Sequence, residues 1–310
     1  VRNSSKDFDM IRTFDADIAT ANAFDALGIV ESAIRKASQI ATLPAIAVQI
    51  IRLSENPETT LDDLNKVVAN DPVLGVRILK LVNSVYYGMP GEIYTIKHAI
   101  LLLGLRAVKN VAIAASLVKF MRRGAIGTKF NASELWTHSV AVATGAKMLA
   151  NRSNCICSDE AFLAGLIHDI GIVVEMQVFG TDFVKLINIL DADDTLTFRQ
   201  AEEAVLGASH ETFGAGLCRA WNFPLSMQLA TGYHHRPWEL EEENHTLPSI
   251  VHLADVLAAR TKLGYQRTVE TNSFESSLLD SLHLTERDLD QVARQLPAVM
   301  DESQAIWTDE

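Results

Sequence analysis

Apolar residues recur at spacings of three and four along most of the chain, with polar residues between them. That period belongs to helices with one buried face. Phe24, Leu27 and Ile34 share one such stripe, and Ile46, Ile50 and Leu53 share another whose first turn holds Pro44. After the Asn56-Pro57 turn, Thr60 is placed to cap a helix carrying Leu61, Leu64, Val67 and Val68, with Asp63 in the reciprocal capping position. Asp71-Pro72 opens the next helix, with Leu74, Ile78, Leu79 and Val82 inward. The apolar stretch 96–120 is broken at Gly104, a tight join between a short helix and a longer one, and 122–133 reads as a linker. Beyond it, Ser133 is placed to cap a helix reaching Ala150, and residues 159–168 form a short helix ending at His168, Asp169 and Gly171. Ser209 precedes a helix with His210, Phe213, Leu217 and Trp221; Pro224 starts one that ends at His234-His235; Pro248 opens one that holds His252 and Asp255. In the tail, Thr285 and Asp288 cap a helix over 285–296.

The pattern predicts an all-α protein with negligible strand. Residues 1–19 carry no clear period, 20–125 form an N-terminal helical bundle, 130–265 form a second helical domain, and 266–310 form an acidic tail, folded over it or partly disordered. A chain of 310 residues, 48% hydrophobic, can bury one large core or two medium ones. The formal charge of -12 leaves no basic field to gather a polyanion. The strongest basic patch, Arg122-Arg123 with Lys119 and Lys129, is small, so nucleic acid is not an expected partner. No uninterrupted apolar run has membrane-spanning length, and Arg2, Lys6 and several acids do not make a signal segment. Three cysteines cannot all pair, and Cys155-x-Cys157 has no second pair to complete a thiolate cage. A cytoplasmic protein without a membrane role is the resulting expectation.

Histidine and aspartate carry the candidate chemistry. His138, His168-Asp169, His210, His234-His235 and Asp255 all fall on helical ground, and imidazole with carboxylate is a ligand set for one or two divalent ions. Glu134 stands one turn before His138, and His138 falls with Leu135 and Val142 on an inward face. The bland reading is a buried histidine bonded to a carbonyl or an acid, which suits His98, His245 and His283 unless they face solvent. His252, one turn before Asp255, could support a ligand from behind. Asp255 could equally be a structural acid paired with His138 or His168. Adjacent histidines on one helix diverge, so His234 and His235 compete for one place. Tyr86, Tyr87, Trp136 and Trp221 read as packing aromatics.

These residues sit in a wider set of motifs: Leu43-Pro44, Asp71-Pro72, the run from Leu79 to Ser84 with Tyr86-Tyr87-Gly88, Ala99-Ile100 ending at Leu103-Gly104, Leu135-Trp136-x-His138-Ser139, the run from Gly165 to Gly171, Glu203 with His210, Gly214, and Trp221-x-x-Pro224 before His234-His235. The set resembles the HDOD domain, the HD-related output domain of bacterial signalling proteins, over about residues 38–240. The resemblance implies an all-helical fold in which the second domain is a distorted HD-type domain, related to metal-dependent phosphohydrolases but mostly regulatory. It implies that His138, His168, Asp169 and Asp255 bind an iron, manganese or zinc ion. It implies that His210, His234, His235 and Glu134 serve a second ion about 3.5–4 Å away, or a phosphate. Two departures count against cyclic dinucleotide hydrolysis: Ile172 stands where a lysine is expected, and Arg236-Pro237-Trp238-Glu239-Leu240 replaces the signature loop. Two functions therefore compete. One is a regulatory protein acting through a partner such as a sensor kinase or response regulator. The other is a phosphohydrolase for a phosphomonoester or nucleotide phosphodiester, with a metal-activated water and Asp169 in the catalytic role.

Overall fold

The computed structural model describes residues 21–40, 45–56, 58–84, 87–88, 91–121, 130–271 and 273–307. Leu43-Pro44, Tyr86, Arg122-Arg123 and Lys129 lie outside the described residues. The first half holds α1 (Ala21–Ile40), α2 (Ala45–Glu55), α3 (Leu61–Ala69), α4 (Pro72–Val82), α5 (Ile96–Leu103) and α6 (Leu105–Met121). The second holds α7 (Ala132–Ser153), α8 (Ser158–Ile167), α9 (Ile170–Ala192), α10 (Phe198–Leu206), α11 (His210–Ala220), α12 (Leu225–Tyr233) and α13 (Thr246–Arg260), followed by α14 (Ser276–Ser281) and α15 (Glu286–Trp307). A single 3-10 turn, Pro237–Glu239, joins α12 to α13. No β-strand occurs among the described residues.

Local chemistry sets the helix ends. Thr60 and Asp63 form a reciprocal capping box, and the Asp71 side chain accepts from Leu74 N ahead of Pro72. Gly104 turns the chain between α5 and α6 with φ 87°, a conformation that favours glycine. Thr285 and Asp288 cap α15 as the sequence predicts. Three expectations need correction. Asn131, not Ser133, caps α7: its side chain accepts from Ser133 N, so the helix starts two residues earlier. Thr246 opens α13, which places Pro248 within its first turn, where the missing N–H costs nothing. α15 runs through Pro297 to Trp307, well past 296, and α14 precedes it.

α7 is the centre of the second half and is buried on almost every side, packed by α8, α13 and α15. A helix apolar all round belongs inside a domain. Small residues bring its neighbours close. A Cβ at Gly165 of α8 would stand 2.8 Å from Ala143 Cα, and one at Gly145 would stand 3.4 Å from Ala254 Cβ of α13. In the tail, α15 buries Leu289, Val292 and Leu296 and packs on α7 and α13. α1 lies against α9 and α11, so it packs on the second half rather than only with α2–α6. The stretch Ser158–Ala192 is apolar and long enough to cross a membrane by composition, but it is broken at His168-Asp169 and 83% of its most apolar window is buried as core.

Candidate metal centre

Seven side chains converge where α7, α8, α9, α11, α12 and α13 meet: His138, His168, Asp169, His210, His234, His235 and Asp255. Six are 0% exposed and His235 is 4% exposed. The ligand atoms of three subsets lie within 4.8 Å of one another: Asp169 with His210, His234 and His235; His138 with His168 and Asp169; and His168 with His234 and Asp255.

Asp169 occupies the middle. Its Oδ1 is 3.4 Å from His210 Nε2 and 3.5 Å from His234 Nε2, while Oδ2 is 3.2 Å from His168 Nε2 and 3.9 Å from His138 Nε2. Asp255 Oδ1 is 2.9 Å from His138 Nε2 and 3.9 Å from His168 Nε2, and Oδ2 is 3.6 Å from His235 Nδ1. These are ion-pair distances, yet His138 Nε2, His168 Nε2 and all four carboxylate oxygens lack a hydrogen bond of ordinary geometry. The donor atoms converge on shared space without pointing at each other. Burying six such atoms unbonded costs about 1–3 kcal/mol each, unless something else satisfies them.

The far side of the imidazoles supports the same arrangement. His168 Nδ1 lies 2.8 Å from Gly165 O, His234 Nδ1 lies 3.0 Å from Thr231 O, and His210 Nδ1 lies 2.9 Å from both Glu202 oxygens. A carbonyl or carboxylate can only accept, so each Nδ1 carries a proton and each Nε2 is the atom turned to the cluster, as in histidine metal ligands. His252 sends its Nδ1 to the backbone carbonyl of His234 at 2.8 Å, a supporting role behind the ligands. The residues therefore fit a divalent ion held by imidazole and carboxylate.

Ionisation points the same way. Burial acts to raise the Asp169 pKa, but His168, His234 and His210 hold it well below the carboxylate range; Asp255 is likewise lowered, burial being outweighed by His138 and His168. Burial and the charges of His234 and His210 keep His235 neutral. Burial opposes charge on His210 and His168 too, but Glu202 and Asp169 push His210 up to about 10, and Asp169 raises His168. A cation bound to these two imidazoles would take the place of a proton on each.

Backbone contacts bring the ligands together. A Cβ at Gly171 would lie 1.9 Å from His210 O and 2.8 Å from Gly214 N, so α9 crosses α11 backbone to backbone just beyond Asp169. Gly264, with φ 72°, approaches the first turn of α7, where a Cβ would stand 2.3 Å from His138 N and 2.4 Å from Glu134 O.

Three readings of single residues change. Glu134 is exposed, because segment 264–265 covers the backbone of that turn and Tyr265 N donates to Glu134 O; its side chain does not join the cluster. The motif residue Glu203 is exposed, and its neighbour Glu202 bonds His210. The phase of α10, with Phe198, Ala201 and Leu206 buried, already puts 202 on the inner side. His234 and His235 do not compete: α12 ends at Tyr233, so both rings reach His210 Nε2, at 3.4 and 3.1 Å. His98 and His283 are exposed and His245 is half-buried.

Sequence reasoning missed Glu175. It lies in the apolar run from Ile170 to Met176, fully buried, and burial together with the charge of Glu202 raises its pKa well above 4.5. The lone acid in that run was the available signal. The native chain holds this proton to higher pH than the unfolded chain does. Stability linked to it is complete below the ordinary glutamate range and is lost as pH rises through the folded value. Glu175→Gln keeps a donor and removes the titration, so its thermal midpoint should gain on the native protein as pH rises above 4.5. A gap that stays constant across a pH series would contradict the assignment.

The chain is similar to several known proteins. It is 26% identical over 219 residues to an uncharacterised protein of Treponema pallidum (strain Nichols), covering 70% of this chain and 42% of that protein, so the chain spans less than half the length of this relative. The crystal structure of an HDOD domain protein of unknown function from Geobacter sulfurreducens superposes with TM-score 0.71 at 26% identity, over 90% of this chain and 98% of that one. A Marinobacter aquaeolei VT8 protein whose name proposes signal transduction superposes with TM-score 0.72 at 22% identity, over 95% of this chain and 69% of that one. A family model of the HDOD domain matches residues 40–237, close to the span of the motifs, and the chain belongs to that family.

Proposed function

We propose that this chain is a cytoplasmic signal-transduction protein whose buried cluster binds one or two divalent cations and hydrolyses a phosphoester, either a phosphomonoester or a nucleotide phosphodiester. The observation that carries the reading is the convergence of seven buried imidazoles and carboxylates, among which the inner atoms of His138, His168, Asp169 and Asp255 lack hydrogen-bond partners. His138, His168, Asp169 and Asp255 hold the first ion. Asp169 presents its other oxygen to His210 and His234, which with His235 hold a second. Iron, manganese and zinc suit this donor set. A bound cation supplies positive charge that acidifies water and neutralises charge on a reacting phosphate. The chain's own groups orient the ligands: Glu202 fixes the tautomer of His210, Gly165 and Thr231 carbonyls fix His168 and His234, and the surrounding core excludes bulk water.

The second reading is a metal-containing regulatory domain acting through a protein partner such as a sensor kinase or response regulator. Complete burial of the ligands favours it, as does Ile172 in place of a cationic side chain that would meet a phosphate. The name of the Marinobacter aquaeolei protein points in the same direction. Turnover separates the two. Manganese-loaded protein should hydrolyse p-nitrophenyl phosphate, bis-p-nitrophenyl phosphate or a cyclic dinucleotide, and His168→Ala should abolish the activity. A fully loaded protein that turns over none of them, yet recovers a sensor kinase or response regulator from solution, supports the regulatory reading.

A further inference from the structure

We propose that α8 couples the N-terminal helices to the metal centre, so that ion binding at its C-terminal end and contacts at its N-terminal end govern each other. The inference rests on the metal-centre reading. α8 is a ten-residue rod, about 15 Å long. Its first turn carries two acids, Asp159 and Glu160, and each joins the two halves of the molecule. Asp159 Oδ1 accepts from Tyr87 Oη at 2.8 Å and from Lys147 Nζ at 2.8 Å, and the ammonium lies 3.4 Å from the Tyr87 ring centroid. Tyr87 comes from the segment between α4 and α5, and Lys147 from α7. It is therefore a polar anchor as well as a packing aromatic. Glu160 pairs with Arg106 of α6 and accepts from Ser226 Oγ of α12 at 2.9 Å.

The other end of the same helix delivers His168 and Asp169 into the cluster. Nothing between the ends can absorb a displacement. Residues 161–167 are all buried, and Gly165 rests on the backbone of Ala143. Gly165 O also holds His168 Nδ1. Close-packed helices pass a shift along rather than deform. The Lys147–Asp159 pair is mostly buried, at 7% and 15% exposure, so it is either made or broken rather than graded. A ligand or partner that draws Tyr87 or Arg106 away from α8 therefore weakens ion binding. An ion at His168-Asp169 tightens the Tyr87 and Arg106 contacts by the same factor.

Manganese chloride is the probe, used on the full chain. Tyr87→Phe removes one hydroxyl while keeping the ring under Lys147, and Arg106→Ala removes an exposed partner of Glu160. Each should weaken manganese binding by about fivefold or more at unchanged stoichiometry. Manganese should slow amide exchange in the peptide that contains Tyr87. Leu64→Ala, a destabilising change on α3, should leave the affinity as it is. Full binding with native affinity in both variants and no change in exchange would overturn the coupling while leaving the metal centre intact. No binding to the native chain would overturn both.

Discussion

Replacing Gly171 by alanine is expected to lower the thermal midpoint by roughly 5 °C or more, which is about 3 kcal/mol for a chain of this size. A helix-interior glycine normally gains up to about 1 kcal/mol when changed to alanine. The neighbours decide the sign here. The new Cβ would fall 1.9 Å from His210 O and 2.7 Å from His210 C, and both are backbone atoms that cannot rotate away. Relief requires α9 and α11 to separate, which carries Asp169 and His210 apart and opens the gap between Asp169 Oδ1 and His210 Nε2 beyond its 3.4 Å. The variant should therefore lose both stability and metal. Gly28→Ala on α1, where a Cβ would meet nothing within 4 Å, is the matched control and should be neutral or slightly stabilising. Equal thermal midpoints for the two variants would contradict the close crossing of α9 and α11.

Asp169→Ala should weaken ion binding by at least about 100-fold, beyond the 10- to 100-fold typical of losing a residue that merely supports a ligand. One carboxylate faces both histidine sets, so its loss removes a donor from each. The effect should also appear without any assay of turnover. At an ion concentration about 100 times the dissociation constant, the native protein gains about 2.7 kcal/mol. Asp169→Ala should gain almost nothing under the same conditions. Glu202→Ala leaves every donor in place while freeing the orientation of His210 and removing the charge that raises its pKa, so it should fall between the two. A midpoint in Asp169→Ala that rises with manganese as far as the native one would remove Asp169 from the centre.

Much of this arrangement was legible in the sequence, and the exceptions share a physical cause. The Thr60, Asp71 and Thr285 caps are short-range, and side chains three residues apart decide them. The His/Asp series as a whole stands out because so many ligand types on apolar helix faces are unusual, whereas the grouping of His138, His168, Asp169 and Asp255 rests on the family resemblance. Glu134 was misplaced by a contact across more than a hundred residues, since no local pattern announces that Gly264 will cover its turn. A helix continuous through 235 would set His234 and His235 in competition, whereas α12 stops at Tyr233 and the turn frees both rings. Glu202 and Glu203 are adjacent and chemically identical. Only helix phase separates them, and the buried Phe198 and Ala201 fixed that phase. The Tyr87–Asp159–Lys147 junction joins three separate segments and has no sequence signature at all.

The most direct test is the ion content of the native chain, purified without chelator and measured by elemental analysis beside Asp169→Ala. At least one iron, manganese or zinc ion per native chain, held through gel filtration and absent from the variant, is the result that a metal centre at this cluster requires. Less than about 0.1 ion per chain, with no gain on adding manganese or iron at a concentration that would saturate an ordinary His/Asp site, would contradict it.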